Sequence, residues 1–204
     1  AHAWPAPDAL AALRVCKDAQ EIAAMRQAVK IAQGALRATL PLIKIGMTEQ
    51  EVTAELVVQL LRHGSEPELP FSPIISSGPN SANPHASPGN RKLQVGDLLV
   101  VDWGAGYGGY ISDLTRTFMV GVVDKEFEKI HRIVEQANAA GRSAGKVGAP
   151  CAAVDKAARI MSRSRPGNAI GRKVSIRQGR NFSCCAMPRP MASARDSFSD
   201  NAAA

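Results

Sequence analysis

The sequence predicts an α+β fold, with helices and strands in separate stretches of the chain. Three observations predict it. Apolar residues recur at helical spacing through 17–40 and again through 48–64. The apolar run 98–101 and the alternating stretch 111–120 read as strands, and helical spacing returns from Asp124.

In the first helix Ile22, Met25, Val29, Ala32 and Leu36 form the expected inward face, Asp18 and Glu21 resemble a capping box, and Pro41 marks the end. The second opens on the capping box Thr48 and Glu51, carries Val52, Leu56 and Leu60 inward, and reaches Gly64 as its C′ glycine. Residues 65–93 are dense in Pro, Ser, Asn and Gly, so short extended pieces joined by ordered turns are expected there. The run 98–101 is continuously apolar and β-prone, which predicts a strand buried on both faces. A glycine-rich turn then leads into the strand 111–120. A third helix from Asp124 should turn Phe127, Ile130, Val134 and Ala137 inward until Gly141, Gly145 and Gly148 break it. Pro150 and 154–161 open a fourth.

Composition narrows the function classes. At 204 residues the chain can bury one sizeable core, and no apolar run approaches the roughly 18 residues a membrane helix needs, so no membrane partner is expected. The first ten residues do not read as a secretory signal. Cys16, Cys151, Cys184 and Cys185 contain no C-x-x-C pair, which argues against a zinc knuckle and a disulfide scaffold and predicts a cytoplasmic setting. The net charge is +7, but beyond Met161 eight Arg and Lys stand against Asp196 and Asp200, so six of the seven excess charges lie there. The basicity belongs to the tail, and nucleic acid is not the expected partner of the rest.

The chemistry centres on DLLVVDWGAGYGGYISDLTRTFM, residues 97–119. A hairpin turning near Tyr107 and Gly108 would set Asp102 and Asp113 across from each other, with side chains about 5 Å apart at Cβ. Carboxylates that close repel unless a proton or a cation lies between them. The alternative is a turn-capping Asp102 and a solvated edge-strand Asp113. Asp113 would stand mid-strand, where aspartate has poor propensity, and Gly104, Gly106, Gly108 and Gly109 permit close packing beside Asp102. With Thr115 and Thr117 keeping that face polar, paired carboxylates would suit a hard or borderline divalent cation.

The stretch PFSPIISSGPNSANPHASPGNRKLQVGDLLVVDWGAGYGGYISDLTRTFMVG resembles the first half of the catalytic domain of the pita-bread metallopeptidases, which include prolidase, aminopeptidase P and methionine aminopeptidase. LRVCKDAQEIAAMRQAVKIA resembles the opening helix of the Xaa-Pro branch. N-P-H-A, V-D-W-G-A and S-D-L-T-R-T, at matching separations, carry the resemblance over about 13–161. It implies a curved antiparallel sheet with covering helices, and two divalent metal ions, manganese or cobalt before zinc or iron. In that site Asp102 would chelate one ion and Asp113 would bridge both. It further implies that His85 contacts the substrate, a peptide with an Xaa-Pro N terminus, and that full-length relatives are homodimers. His63 and His131 read as structural or solvated.

The family pattern also asks for a histidine in a G-H-G-like strand and two later glutamates. After Asp113 this chain has only His131, Glu126, Glu128 and Glu135, none in a matching motif, so the expected metal site is incomplete. The expected organisation is a linker remnant over 1–16, a partial pita-bread domain over 17–161 and a non-family, disordered basic tail over 162–204. The abrupt change at Met161 suggests a frameshifted or degenerate C terminus, against a genuine basic tail. Exposed edges of half a sheet predict poor solubility for the isolated chain. Three functions compete: an impaired Xaa-Pro dipeptidase or aminopeptidase, a non-catalytic peptide- or protein-binding module on the same fold, and nucleic-acid binding by the tail.

Overall fold

The structure, a computed structural model, describes residues 14–122 and 124–163. It divides into two units, Lys17–His131 and Ala1–Cys16 with Arg132–Ala204. The larger unit opens with helices α1 (Ala19–Thr39) and α2 (Glu49–Arg62). Strands β1 (Ile74–Ser77), β2 (Leu98–Trp103) and β5 (Leu114–Met119) then form an antiparallel sheet in the order β1-β2-β5. The short strands β3 (Gly106–Tyr107) and β4 (Tyr110–Ile111) pair as a second ribbon.

Both expected capping boxes form. Asp18 accepts the amides of Gln20 and Glu21 while Glu21 accepts that of Asp18, and Thr48 and Glu51 bond reciprocally at the start of α2. Each satisfies helix-end donors that would otherwise lack partners. At the far end of α2 the amides of Gly64 and Ser65 donate to the carbonyls of Leu61 and Leu60, and Gly64 has φ +94°. This is the paired bonding of a Schellman close, for which glycine has no steric penalty. The His63 ring bonds the Gln59 carbonyl through Nδ1, and a Cβ on Gly34 of α1 would lie 2.8 Å from that ring. The structural reading of His63 therefore stands.

The buried face of α1 matches the expected one only in part: Ala32 and Leu36 are buried as expected, while Ile22 and Val29 are half-buried. Ala28, Ile31, Ala32, Ala35, Leu36 and Thr39 are buried, whereas Met25 is 37% exposed. Counting large apolar residues misses a stripe of alanines, and those alanines let backbone approach the helix. Ser112 Oγ and Trp103 Nε1 donate to the α1 carbonyls of Ala28 and Ala32, and Tyr110 Oη donates to Glu21. One side of the sheet closes on the two helices, with Leu99, Val101, Trp103 and Ile75 joining Leu56 and Leu60 in the core.

The expectation that 98–101 is buried on both faces is corrected. Burial alternates along β2, and Leu98, Val100 and Asp102 are only half-buried. Helices cover the other side alone in this unit, so one face is apolar and packed while the opposite face is only partly covered, with Ser76 on β1 buried there. The continuous strand 111–120 is also corrected. It breaks at Ser112 and Asp113, where the chain passes from β4 to β5.

In the C-terminal part, α3 (Lys125–Ala144) runs through Gly141, and α4 (Cys151–Arg163) follows. Ile133, Ala137 and Gly141 are the buried positions of α3, at intervals of four, while Val134, expected inward, is exposed. A Cβ on Gly141 would meet Ala158 and Val154 at 3.6 and 3.7 Å, so the glycine marks a close approach between α3 and α4 rather than a break. α4 extends two residues past Met161. The rest of the expected basic tail, 164–204, and most of the expected linker, 1–13, lie outside the described residues.

Candidate active site

Asp102 sits on the partly covered face of β2, and Asp113 lies at the break before β5. The turn between them falls one residue later than expected. Gly108 and Gly109 occupy the two turn positions with φ of +59° and +74°, the left-handed pair that a tight hairpin turn requires. The one-position change moves every pairing. Asp102 stands opposite Thr115, and the same register through Gly106 and Ile111 sets Asp113 across from Gly104.

The two aspartates are therefore diagonal neighbours two positions apart, about 7–8 Å at Cα for such a pair, rather than directly opposed. Asp113 still acts on Asp102. Burial pushes the Asp102 carboxyl above its ordinary range, a hydrogen bond from Thr115 Oγ1 at 3.0 Å opposes that, and the charge of Asp113 adds to it. Asp113 itself is exposed. Gly104 makes the arrangement possible, since a Cβ there would lie 2.1 Å from the Ser112 carbonyl oxygen.

His85 is exposed in the loop between β1 and β2, where its amide donates to Asn83 Oδ1. Among the described residues its ring makes no hydrogen bond. The loop leaves β1 at Ser77, which pairs with Leu99, whereas Asp102 pairs with Ile74 at the opposite end of β1. Three strand residues separate the two levels, about 10 Å at the usual rise. Sheet pairing alone brings the aspartates together and leaves the placement of His85 to its loop.

The sequence reading missed Glu49. Its carboxylate is fully buried and accepts from Ser77 N and Oγ at 2.8 Å, Gly89 N at 3.0 Å and Asn80 Nδ2 at 3.1 Å. Burial alone would raise its carboxyl, but the bonds from Ser77, Gly89 and Asn80 outweigh it and hold the group below the ordinary range. Beside it, Arg91 grips Asp97 with two hydrogen bonds, also donates to Ser77 Oγ, and holds the Asp97 carboxyl down. The available signal was Glu49 in the first turn of a helix, which reads as a solvated, dipole-compensating residue.

These shifts have a defined sign. Glu49 and Asp97 titrate lower in the folded state, so their stabilisation is present above the unfolded carboxyl range near pH 4 and is lost as pH falls through the folded values. The melting temperature should hold from pH 7 to about 5 and drop below about 4. A flat acid limb in a thermal melt series would contradict this.

Two carboxylates on one sheet face offer hard oxygen donors, but no group of three His, Cys, Asp or Glu among the described residues could hold a metal ion. Ser76 Oγ, buried and without a hydrogen-bond partner among the described residues, lies on the same strand face and adds only a neutral hydroxyl. The described residues do not complete a metal centre.

The profile described as metallopeptidase family M24 matches residues 23–188. A Xaa-Pro dipeptidase of Pyrococcus furiosus is 36% identical over 152 residues, covering 74% of this chain and 43% of that protein. YqhT of Bacillus subtilis, described as an uncharacterized peptidase, is 35% identical over 137 residues, or 67% of this chain and 38% of its own length. Among solved structures, prolidase from Pyrococcus furiosus superposes with a TM-score of 0.72 at 35% identity over 76% of this chain and 45% of that one. X-Pro aminopeptidase from Thermotoga maritima gives 0.71 at 32% identity over 78% and 45%. The chain spans less than half the length of each of these relatives.

Proposed function

Since the chain belongs to metallopeptidase family M24, we propose that it carries part of the catalytic apparatus for hydrolysing peptides with proline in the second position. Asp102 and Asp113 are the proposed metal ligands and His85 the proposed substrate-facing group. The observation that supports this reading most is the placement of Asp102 and Asp113 on one partly covered sheet face, close enough for one charge to act on the other. The family implies divalent metal ions. Manganese or cobalt is the proposed occupant, ahead of zinc or iron.

The chemistry of this chain's own residues is limited and definite. Thr115 holds one Asp102 oxygen, which leaves the other for a cation, and the hairpin presents Asp113 from the break just before β5. With only these two ligands described, metal binding and hydrolysis by the 204-residue chain are proposed to be weak. A non-catalytic peptide-binding module is the second reading, favoured by that shortage of ligands. The cytoplasm is the proposed compartment, and no described helix is long and apolar enough to cross a membrane.

Titration calorimetry with manganese, run beside hydrolysis of an Xaa-Pro dipeptide and a longer Xaa-Pro peptide, tests the proposal. Asp102→Asn should weaken manganese binding by roughly tenfold or more, equivalent to at least about 1.4 kcal/mol. It should abolish any turnover. Manganese binding that is unchanged in the variant would overturn the assignment of Asp102, and Xaa-Pro peptide binding without turnover would favour the second reading.

A further inference from the structure

The buried Glu49 carboxylate stands at the base of the loop that carries His85. Its three partners, Ser77, Asn80 and Gly89, lie 28, 31 and 40 residues away in sequence and bracket His85 on both sides. Backbone bonds reinforce the closure, with the Glu49 amide donating to the Arg91 carbonyl and the Gln50 amide to that of Gly89. Gly78 enters the loop with φ +50° beneath the Arg91–Asp97 pair, where a Cβ would meet Arg91 Nη2 and Asp97 Oδ1. Asp97 lies immediately before β2, the strand of Asp102. One cluster of Glu49, Ser77, Arg91 and Asp97 thus ties the loop to the strand that bears the aspartate.

A carboxylate with no exposure is a costly way to fill space, and it persists only where several donors surround it. Here all the side-chain and amide donors to it come from the loop and its two ends. We propose that Glu49 is a positioning residue for His85: its carboxylate closes the 77–89 loop and thereby determines where that imidazole stands relative to Asp102. The role assigned to His85 rests on the function proposed above, whereas the closure of the loop does not.

The test uses the full 204-residue chain, hydrogen exchange of peptides spanning 78–90, and the His85 Cε1–H resonance. Glu49→Gln keeps the size but replaces an acceptor oxygen with a donor amide facing donors. Loop exchange should rise by about tenfold or more, equivalent to a local opening made easier by about 1.4 kcal/mol. The His85 resonance should move toward that of an unstructured histidine, while His63 and exchange within α1 hold. Unchanged loop exchange and an unmoved His85 resonance would overturn the proposal. Loosening of α1 in step with the loop would make Glu49 a general stability residue and would also overturn it.

If Glu49→Gln does not fold, Asn80→Ala decides, because it removes one donor from an exposed position and leaves the carboxylate in place. A loosened loop with an unchanged melt supports the proposal, and an unchanged loop overturns it. His85→Ala should leave loop exchange as it is. If His85→Ala also leaves any Xaa-Pro turnover unchanged, the functional reading of His85 fails while the loop measurement still stands.

Discussion

Trp103→Ala is expected to lower the free energy of unfolding by about 3–5 kcal/mol, the range for emptying a large aromatic site in a packed core. Trp103 is 1% exposed and ends β2 against α1, where its indole Nε1 donates to the Ala32 carbonyl at 2.9 Å. Truncation removes the ring from a cluster that includes Leu56, Ile75 and Val101, and the alanine stripe of α1 has no long side chains to collapse into the gap. Trp103→Phe should recover most of the loss, since it restores apolar volume and forfeits mainly the hydrogen bond, about 1 kcal/mol. Urea denaturation of the two variants beside the parent chain measures both numbers. A loss below about 1.5 kcal/mol for alanine would show that the core repacks as freely as for a volume-conserving swap.

Gly104→Ala is expected to cost about 3 kcal/mol, the upper end of the range for forcing extra volume into a packed site. The obstacle is backbone. The new Cβ would stand 2.1 Å from the Ser112 carbonyl oxygen and 3.0 Å from Pro70 Cγ, and no side-chain rotation relieves the first contact. The hairpin must open between Asp102 and Asp113, so manganese binding should fall together with stability. Gly109→Ala is the contrast, because that position has open space and only a left-handed backbone, φ +74°, with a cost of about 1–2 kcal/mol. Equal melting temperatures for the two variants would contradict the steric account. If Gly104→Ala bound manganese like the parent chain, the register between the aspartates would not control the site.

Local chemistry was read correctly wherever its cause lies within a few residues. The capping boxes at Asp18 and Thr48 and the glycine that closes α2 all follow from contacts inside one turn of chain. The inward positions Val52, Leu56 and Leu60 were legible for the same reason, since period and burial agree when the apolar residues are large. On α1 they agree only at Ala32 and Leu36, because alanine carries little weight in a hydrophobic count yet allows the closest packing. The turn was misplaced by one residue. Four glycines near the hairpin tip permit more than one turn position, and only the cross-strand register chooses among them.

The 204 residues by themselves determined the α+β class and the family resemblance, and they singled out Asp102, Asp113 and His85 as the residues proposed for the site, because side-chain type and near-neighbour spacing are written along the chain. Tertiary structure alone decided that the aspartates stand diagonally across Gly104 and that β2 has one packed and one partly covered face. It also decided that Glu49 is a buried anchor rather than a solvated first-turn acid, since the donors that hold it come from 28 to 40 residues away. The physical reason is common to all three. A buried charge, a strand register and a covered face are each set by groups distant in sequence, and no local pattern records which of them will meet.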